Sequence, residues 1–184
     1  LRPSSPLIRI FFLFVLLPHS SLTTAQAIDV ADWSALEQQA RGQTVYFNAW
    51  GGEPRINSYL NWVAQALEQR FNITLQHVKV ADTGETVSRI VAERQAGNDT
   101  NGSIDLLWIN GENFATLKEN DLLFGPWAEQ QPNFGLVNAN RFPEMREDFT
   151  VPTDGLESPW TRSQLVFYHD SQWLLEPPQT IAAI

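Results

Sequence analysis

TVYFNAWGGE, at residues 44–53, carries the strongest local signals in this 184-residue chain. Its first half is rich in β-branched and aromatic residues, which favour a buried strand. Gly51 and Gly52 then allow a turn without the steric cost of a Cβ atom. Pro54 suits the first turn of a helix, and apolar residues recur at helical spacing from there to Phe71. The stretch therefore predicts a strand, a glycine turn and a long helix.

Two further strand–turn–helix units are predicted after the first. Residues 73–80, ITLQHVKV, alternate between apolar and polar and predict a strand, with Asp82 or Thr83 capping the next helix. Residues 104–109, IDLLWI, are nearly all apolar and predict a third, buried strand before Asn110. Because parallel strands need helical crossovers, we expect these strands side by side in one parallel sheet, the first in the middle.

Each predicted strand ends in a polar or glycine-containing turn. The carboxyl ends of parallel strands meet at one edge of the sheet, where open α/β sheets bind ligands. Three polar turns on one edge therefore predict a binding rim. For Asp82, Thr83 and Glu85, helix capping and dipole matching are the alternative.

Composition limits the partners and sites that this chain can have. It contains no cysteine, which excludes disulfides, zinc–thiolate sites and cysteine nucleophiles. His77 has no second ligand at metal spacing, so we expect no metal site and place His77 on the polar side of its strand. With 21 acidic and 12 basic residues the net charge is −9, and we expect no nucleic-acid partner. Seven tryptophans indicate either core packing or a cleft lined by indole rings.

The amino terminus has the pattern of an export signal. Arg2 and Arg9 precede an apolar run at residues 10–17, and residues 25–27 read AQA, an A-x-A cleavage site. The run is shorter than the ~20 residues that span a bilayer. We therefore expect residues 1–27 to be a cleavable signal peptide and the protein to be periplasmic. An uncleaved amphipathic anchor is the alternative.

The second half of the chain loses its periodicity. From 137 to 159 only short segments rich in Pro, Asp, Asn and Gly follow one another, and a loop of this length is usually functional or packed across a surface. Residues 164–168 predict a fourth strand, and 180–184 predict the start of a helix. We expect the natural protein to continue beyond this point, with about 200 further residues forming a second α/β unit.

These features together resemble a bacterial ABC-transporter solute-binding protein of extracellular solute-binding family 1, closest to its YnjB-type subgroup. The resemblance covers nearly the whole chain after the signal. It is carried by FNAWGGEPRINSYLNWV at 47–63, DLLWINGENFATLK at 105–118, LLFGPW at 122–127 and the segment 159–170 with PW and SQLVFYHD.

The resemblance implies a type II periplasmic-binding-protein-like lobe over residues 28–158. Residues 159–184 would then form a crossover strand and the start of a second lobe. It further implies a monomeric ABC-importer component without catalytic residues or cofactor, which delivers a small solute to an inner-membrane permease. Since such receptors close two lobes on their ligand, we expect the chain alone to bind its solute weakly or not at all.

The resemblance also implies ligand-binding residues in the turns. Trp50 and Trp160 would stack on a ring or attract a cation, and Asn110 offers a donor and an acceptor. Core packing is the alternative for Trp160. The acids nearby favour a cationic or aromatic solute. The full set is Trp50, Gly51, Gly52, Asp82, Thr83, Gly84, Asn110, Gly111, Glu112 and Trp160.

Two other classes of function stay open. An exported α/β enzyme would use acids at strand ends, such as Asp82 and Glu112, for acid–base chemistry. The sequence has no G-x-S-x-G, H-E-x-x-H or P-loop motif to support it. A structural or interaction protein would leave the polar rim unexplained.

Overall fold

The computed structural model describes residues 29–30, 32–98, 100, 102–162, 167–180 and 182. The predicted signal peptide lies outside these residues, as do most of the predicted fourth strand and most of the predicted helix start at 180–184. At the end of that strand, Phe167 and Tyr168 lie in exposed, irregular backbone.

The described residues form an α/β structure with helices flanking a parallel sheet. Along the chain the elements are α1 (Trp33–Ala40), β1 (Thr44–Trp50), α2 (Pro54–Phe71), β2 (Thr74–Val80), α3 (Thr83–Gln95), β3 (Leu106–Leu107), α4 (Glu112–Glu119), three 3-10 helical turns (Ala128–Gln130, Phe134–Val137, Pro143–Arg146), β4 (Glu147–Asp148) and β5 (Val151–Pro152). In this part of the chain no helix combines the length and apolar character needed to cross a membrane.

Strand β1 lies in the middle of the sheet, as predicted. It pairs in parallel with β2 along its whole length, and with β3 at Phe47 and Asn48, giving the order β2-β1-β3. The right-handed crossover rule then places α2 and α3 on opposite faces. On one face Phe47 packs with Leu60 of α2; on the other, α3 contacts β1 and buries Thr86.

The third strand is shorter and more exposed than predicted. Only Leu106 and Leu107 pair with β1, and Leu106 is 41% exposed, so the prediction of a buried strand over 104–109 is wrong in extent. At the start of the strand, the carboxylate of Asp105 accepts the backbone N–H of Tyr46 at 2.8 Å. A side chain thus takes the place of a backbone carbonyl at the start of the ladder.

Local signals explain where the helices begin and end. Pro54 occupies the first turn of α2, and the Glu53 carboxylate accepts the N–H of Arg55. Asn72 ends the helix in the left-handed conformation at φ 55°. Helix α1 begins at Trp33, because the carboxylate of Asp32 accepts the N–H of Ala35 and serves as its cap.

The predicted position of His77 on the polar side of β2 is wrong. His77 is the register partner of Phe47, and the two ring centroids lie 6.4 Å apart. Its Nε2 lies 3.1 Å from the carbonyl oxygen of Ala49. Period-2 alternation puts His77 on the same side as Leu75, which packs against the core.

Candidate functional site

The turns after β1, β2 and β3 meet at one edge of the sheet, as expected for parallel strands. The N–H of Gly51 donates to the carbonyl of Val80 at 3.2 Å. Thr83 Oγ1 lies 3.5 Å from the carbonyl oxygen of Trp108. Because the first crossover runs from β1 to β2 and the second runs back across β1 to β3, this edge contains a topological switch point between β1 and β3, where α/β sheets bind ligands.

The first turn is tightly packed. A Cβ atom on Gly51 would lie 2.7 Å from the Cβ of Lys79, and one on Gly52 would lie 2.5 Å from Cζ2 of Trp50. The indole ring of Trp50 thus lies over Gly52 and remains 47% exposed. The backbone N–H of Gly51 already bonds the carbonyl of Val80 and is therefore not available to a ligand.

The second turn is occupied by helix capping. Asp82 is the N-cap of α3, and its carboxylate accepts the N–H of Gly84 at 2.8 Å. Capping, the alternative weighed for Asp82, therefore accounts for its position. A Cβ on Gly84 would lie 3.8 Å from the side-chain oxygen of Asn113, which brings the second turn next to the third.

The third turn is joined to a hairpin from the irregular part of the chain. Gly111, at φ 59°, donates its N–H to the carboxylate of Asp148, at the end of β4. The ring of Phe149 lies 3.7 Å from where a Cβ of Gly111 would be. Asn110 and Glu112 are both exposed on either side of Gly111. Residues 144–161 are thereby held against the binding edge.

A cleft of about 760 Å³ lies between α2, residues 104–110, residues 122–127 and residues 144–161. Of the ten residues predicted for the site, Asn110 and Trp160 line this cleft. The other eight lie in the turns beside it: Trp50, Gly51, Gly52, Asp82, Thr83, Gly84, Gly111 and Glu112. The structure therefore brings the two groups to the same part of the fold without forming one enclosed pocket from them.

Aromatic rings form one wall of the cleft. The Trp160 ring centroid lies 5.2 Å from that of Trp108 and 5.8 Å from that of Tyr59, which itself lies 5.7 Å from Trp62. Trp160 is 46% exposed. It packs against two rings and keeps part of its surface open to the cleft, so simple core packing does not describe it.

Carboxyl groups supply the charge of the cleft. Burial, with a smaller contribution from the nearby charge of Asp148, raises the pKa of Glu157 from 4.5 to about 7. Burial also raises the pKa of Asp148, although the hydrogen bond from Gly111 opposes the rise. Sequence patterns gave no reason to select either acid. The only signal was the unusual length of the irregular stretch 137–159.

Comparison with known proteins finds a curated protein whose sequence is similar to this chain. The chain is 48% identical to "Protein YnjB" of Escherichia coli (strain K12) over 158 residues. The match takes in 86% of this chain and 40% of the relative, so the chain spans less than half the length of the curated protein it resembles. No family model matches the chain. No solved structure matches it either.

Proposed function

We propose that this chain is part of an exported solute-binding protein of an ABC-type importer. It captures a small solute at the carboxyl edge of the β2-β1-β3 sheet and delivers it to an inner-membrane permease. The observation that carries the proposal is the 760 Å³ cleft with an aromatic wall beside that edge. Pockets of this size and lining suit small molecules, and the edge next to β1 and β3 is where α/β sheets bind them.

In this proposal the described sheet belongs to one lobe of a type II, two-lobed receptor of extracellular solute-binding family 1. A second lobe would close over the cleft and remove the solute from water. Residues 1–27 would direct the protein to the periplasm as a signal peptide. The similarity to Protein YnjB supports a longer protein of which this chain matches one part.

An exported enzyme is the second candidate function, and one observation favours it. The pKa of Glu157, raised to about 7, suits a group that exchanges protons near neutral pH. Solute binding is preferred because it uses the whole aromatic wall, whereas acid–base chemistry would use only the acids.

A thermal-shift and tryptophan-fluorescence screen of the chain against cations, anions, sugars and neutral amides tests the proposal. We expect at least one class to raise the melting temperature and to change the fluorescence, with the solute recovered unchanged. Trp160→Leu should abolish both effects. Trp33→Leu, an exposed tryptophan on α1, is the matched control and should keep them. Consumption of the solute, or stabilisation that Trp160→Leu leaves unchanged, would contradict a binding protein that uses this cleft.

A further inference from the structure

The sign of the charge along the cleft is uniform. Five carboxylic acids line it, and no lysine, arginine or histidine of the described residues does. An anionic ligand would find no basic side chain in this lining, in a partly water-excluded space where charges interact more strongly than in water. The five acids are Asp105, Glu144, Glu147, Asp148 and Glu157.

Three basic side chains in or next to the segments that line the cleft already form ion pairs. Arg162 forms an ion pair with Glu144 at 2.8 Å, and Arg146 pairs with Glu129 at 3.2 Å. Lys118 pairs with Asp154 at 2.6 Å. Of the lining acids, Glu144 is therefore neutralised, and Asp105 and Asp148 accept backbone N–H groups from Tyr46 and Gly111.

Glu157 differs from these acids. It is partly buried in the cleft and has no hydrogen-bond donor or basic partner among the described residues, and the charge that acts on it is that of Asp148. Glu157 and Trp160 are three residues apart in one segment, so their Cα atoms lie within about 11 Å. An uncompensated carboxyl group and an open indole ring thus belong to the same part of the cleft.

We infer that the cleft binds an organic cation, with Trp160 and Tyr59 against its apolar groups and the Glu157 carboxylate as its counter-charge. Indole and phenol faces attract ammonium groups, and a bound cation compensates a carboxylate that otherwise has no partner. This inference rests on the proposed solute-binding function and names the class of solute. It also assigns a binding role to Glu157, which lies outside the turns that follow β1, β2 and β3.

The test uses choline and its uncharged isostere 3,3-dimethylbutan-1-ol, titrated into the 184-residue chain by NMR and tryptophan fluorescence. We expect choline to bind with a Kd of about 1 mM, as suits a cleft with one wall, and the isostere to bind at least about tenfold more weakly. Acetate should not bind. Raising the pH from about 5 to 8 should strengthen choline binding as Glu157 ionises.

Glu157→Gln keeps the shape of the side chain and removes its charge. It should weaken choline binding about tenfold, remove most of the dependence on pH and leave the isostere unaffected. Glu119→Gln makes the same change on an exposed residue of α4 that does not line the cleft and should change nothing. A Glu157→Gln chain that binds choline like the wild type overturns the assignment of Glu157.

Failure of this inference is distinguishable from failure of the solute-binding function. Equal or tighter binding of the isostere or of acetate, still lost in Trp160→Leu, would exclude the cation while leaving a solute site in the cleft. If choline does not bind while another class of solute stabilises the chain in the screen, the cation is likewise excluded and the solute site remains. Consumption of the solute, or stabilisation by a solute that Trp160→Leu leaves unchanged, would remove the proposed function itself.

Discussion

Replacing Glu157 by glutamine should stabilise the protein at neutral pH. The pKa of Glu157 rises from 4.5 to about 7 on folding, chiefly because burial disfavours the charged carboxylate. Between these values the folded state binds more protons than the unfolded state. The free energy of unfolding therefore falls as the pH rises through this window, and the loss is complete above about pH 7.

The size of the effect follows from the same pKa difference. At about 1.4 kcal/mol per pKa unit, the change from 4.5 to about 7 corresponds to at most about 3 kcal/mol. Glu157 is only partly buried, and solvent screening reduces the expected effect to about 1–2 kcal/mol. Glutamine cannot ionise, so the variant should gain this amount at pH 8 and nothing at pH 4.

Urea denaturation measures the free energy of unfolding at several pH values from about 4 to 8. The proteins compared are the wild type, Glu157→Gln and the control Glu119→Gln. The wild type should lose stability as the pH rises across this window, and the stability of Glu157→Gln should depend less on pH. A smaller slope should remain from Asp148, whose pKa is also raised by burial. If Glu157→Gln is no more stable than wild type at pH 8 and shows the same slope, Glu157 does not lie in the environment described.

Three further substitutions test the packing around the site, each by urea denaturation. Gly51→Ala should lower the free energy of unfolding by about 1–3 kcal/mol, because the new methyl group would lie 2.7 Å from the Cβ of Lys79. If the variant is as stable as the wild type, the turn adjusts freely. Thr150→Gly should raise the free energy of unfolding by about 1 kcal/mol, since a β-branched residue at φ 73° is strained in the β4–β5 turn. A loss of stability would contradict that strain. Asn48→Val should raise the free energy of unfolding by about 1–2 kcal/mol, because neither side-chain polar atom of this fully buried residue has a hydrogen-bond partner in the described structure. Destabilisation would indicate that the side-chain amide does form hydrogen bonds.

The sheet was predictable because its signals are local and its topology obeys a general rule. The β-branched run, the glycine pair and Pro54 act within ten residues, and they place β1 and the start of α2 correctly. Right-handed crossovers then give the strand order. The extent of the third strand was not predictable, because its pairing with β1 begins at a contact between Asp105 and Tyr46, 59 residues apart in the chain.

The site was predictable only in part, for a related reason. Strand ends can be located from sequence, so the turns were selected, and the resemblance to solute-binding proteins added Trp160. The hydrogen bonds that occupy Gly51 and Gly111 depend on tertiary neighbours. Asp148 and Glu157 acquire their chemistry from burial in a folded hairpin and its following segment, and no local pattern in residues 137–159 indicates such burial.

Amide chemical-shift mapping by NMR tests whether a solute binds at this edge of the sheet. The chain would be titrated with the solute that stabilises it most in the screen, and the shifted backbone and indole N–H signals assigned. We expect shifts at Gly52, Trp108, Asn110, Glu157 and Trp160. A shallower pocket of about 330 Å³, lined by Ala64, Gln65, Glu68, Gln69, Thr74 and Leu75, provides the contrast. Shifts confined to that pocket, with the signals of the cleft unchanged, would contradict the proposed site.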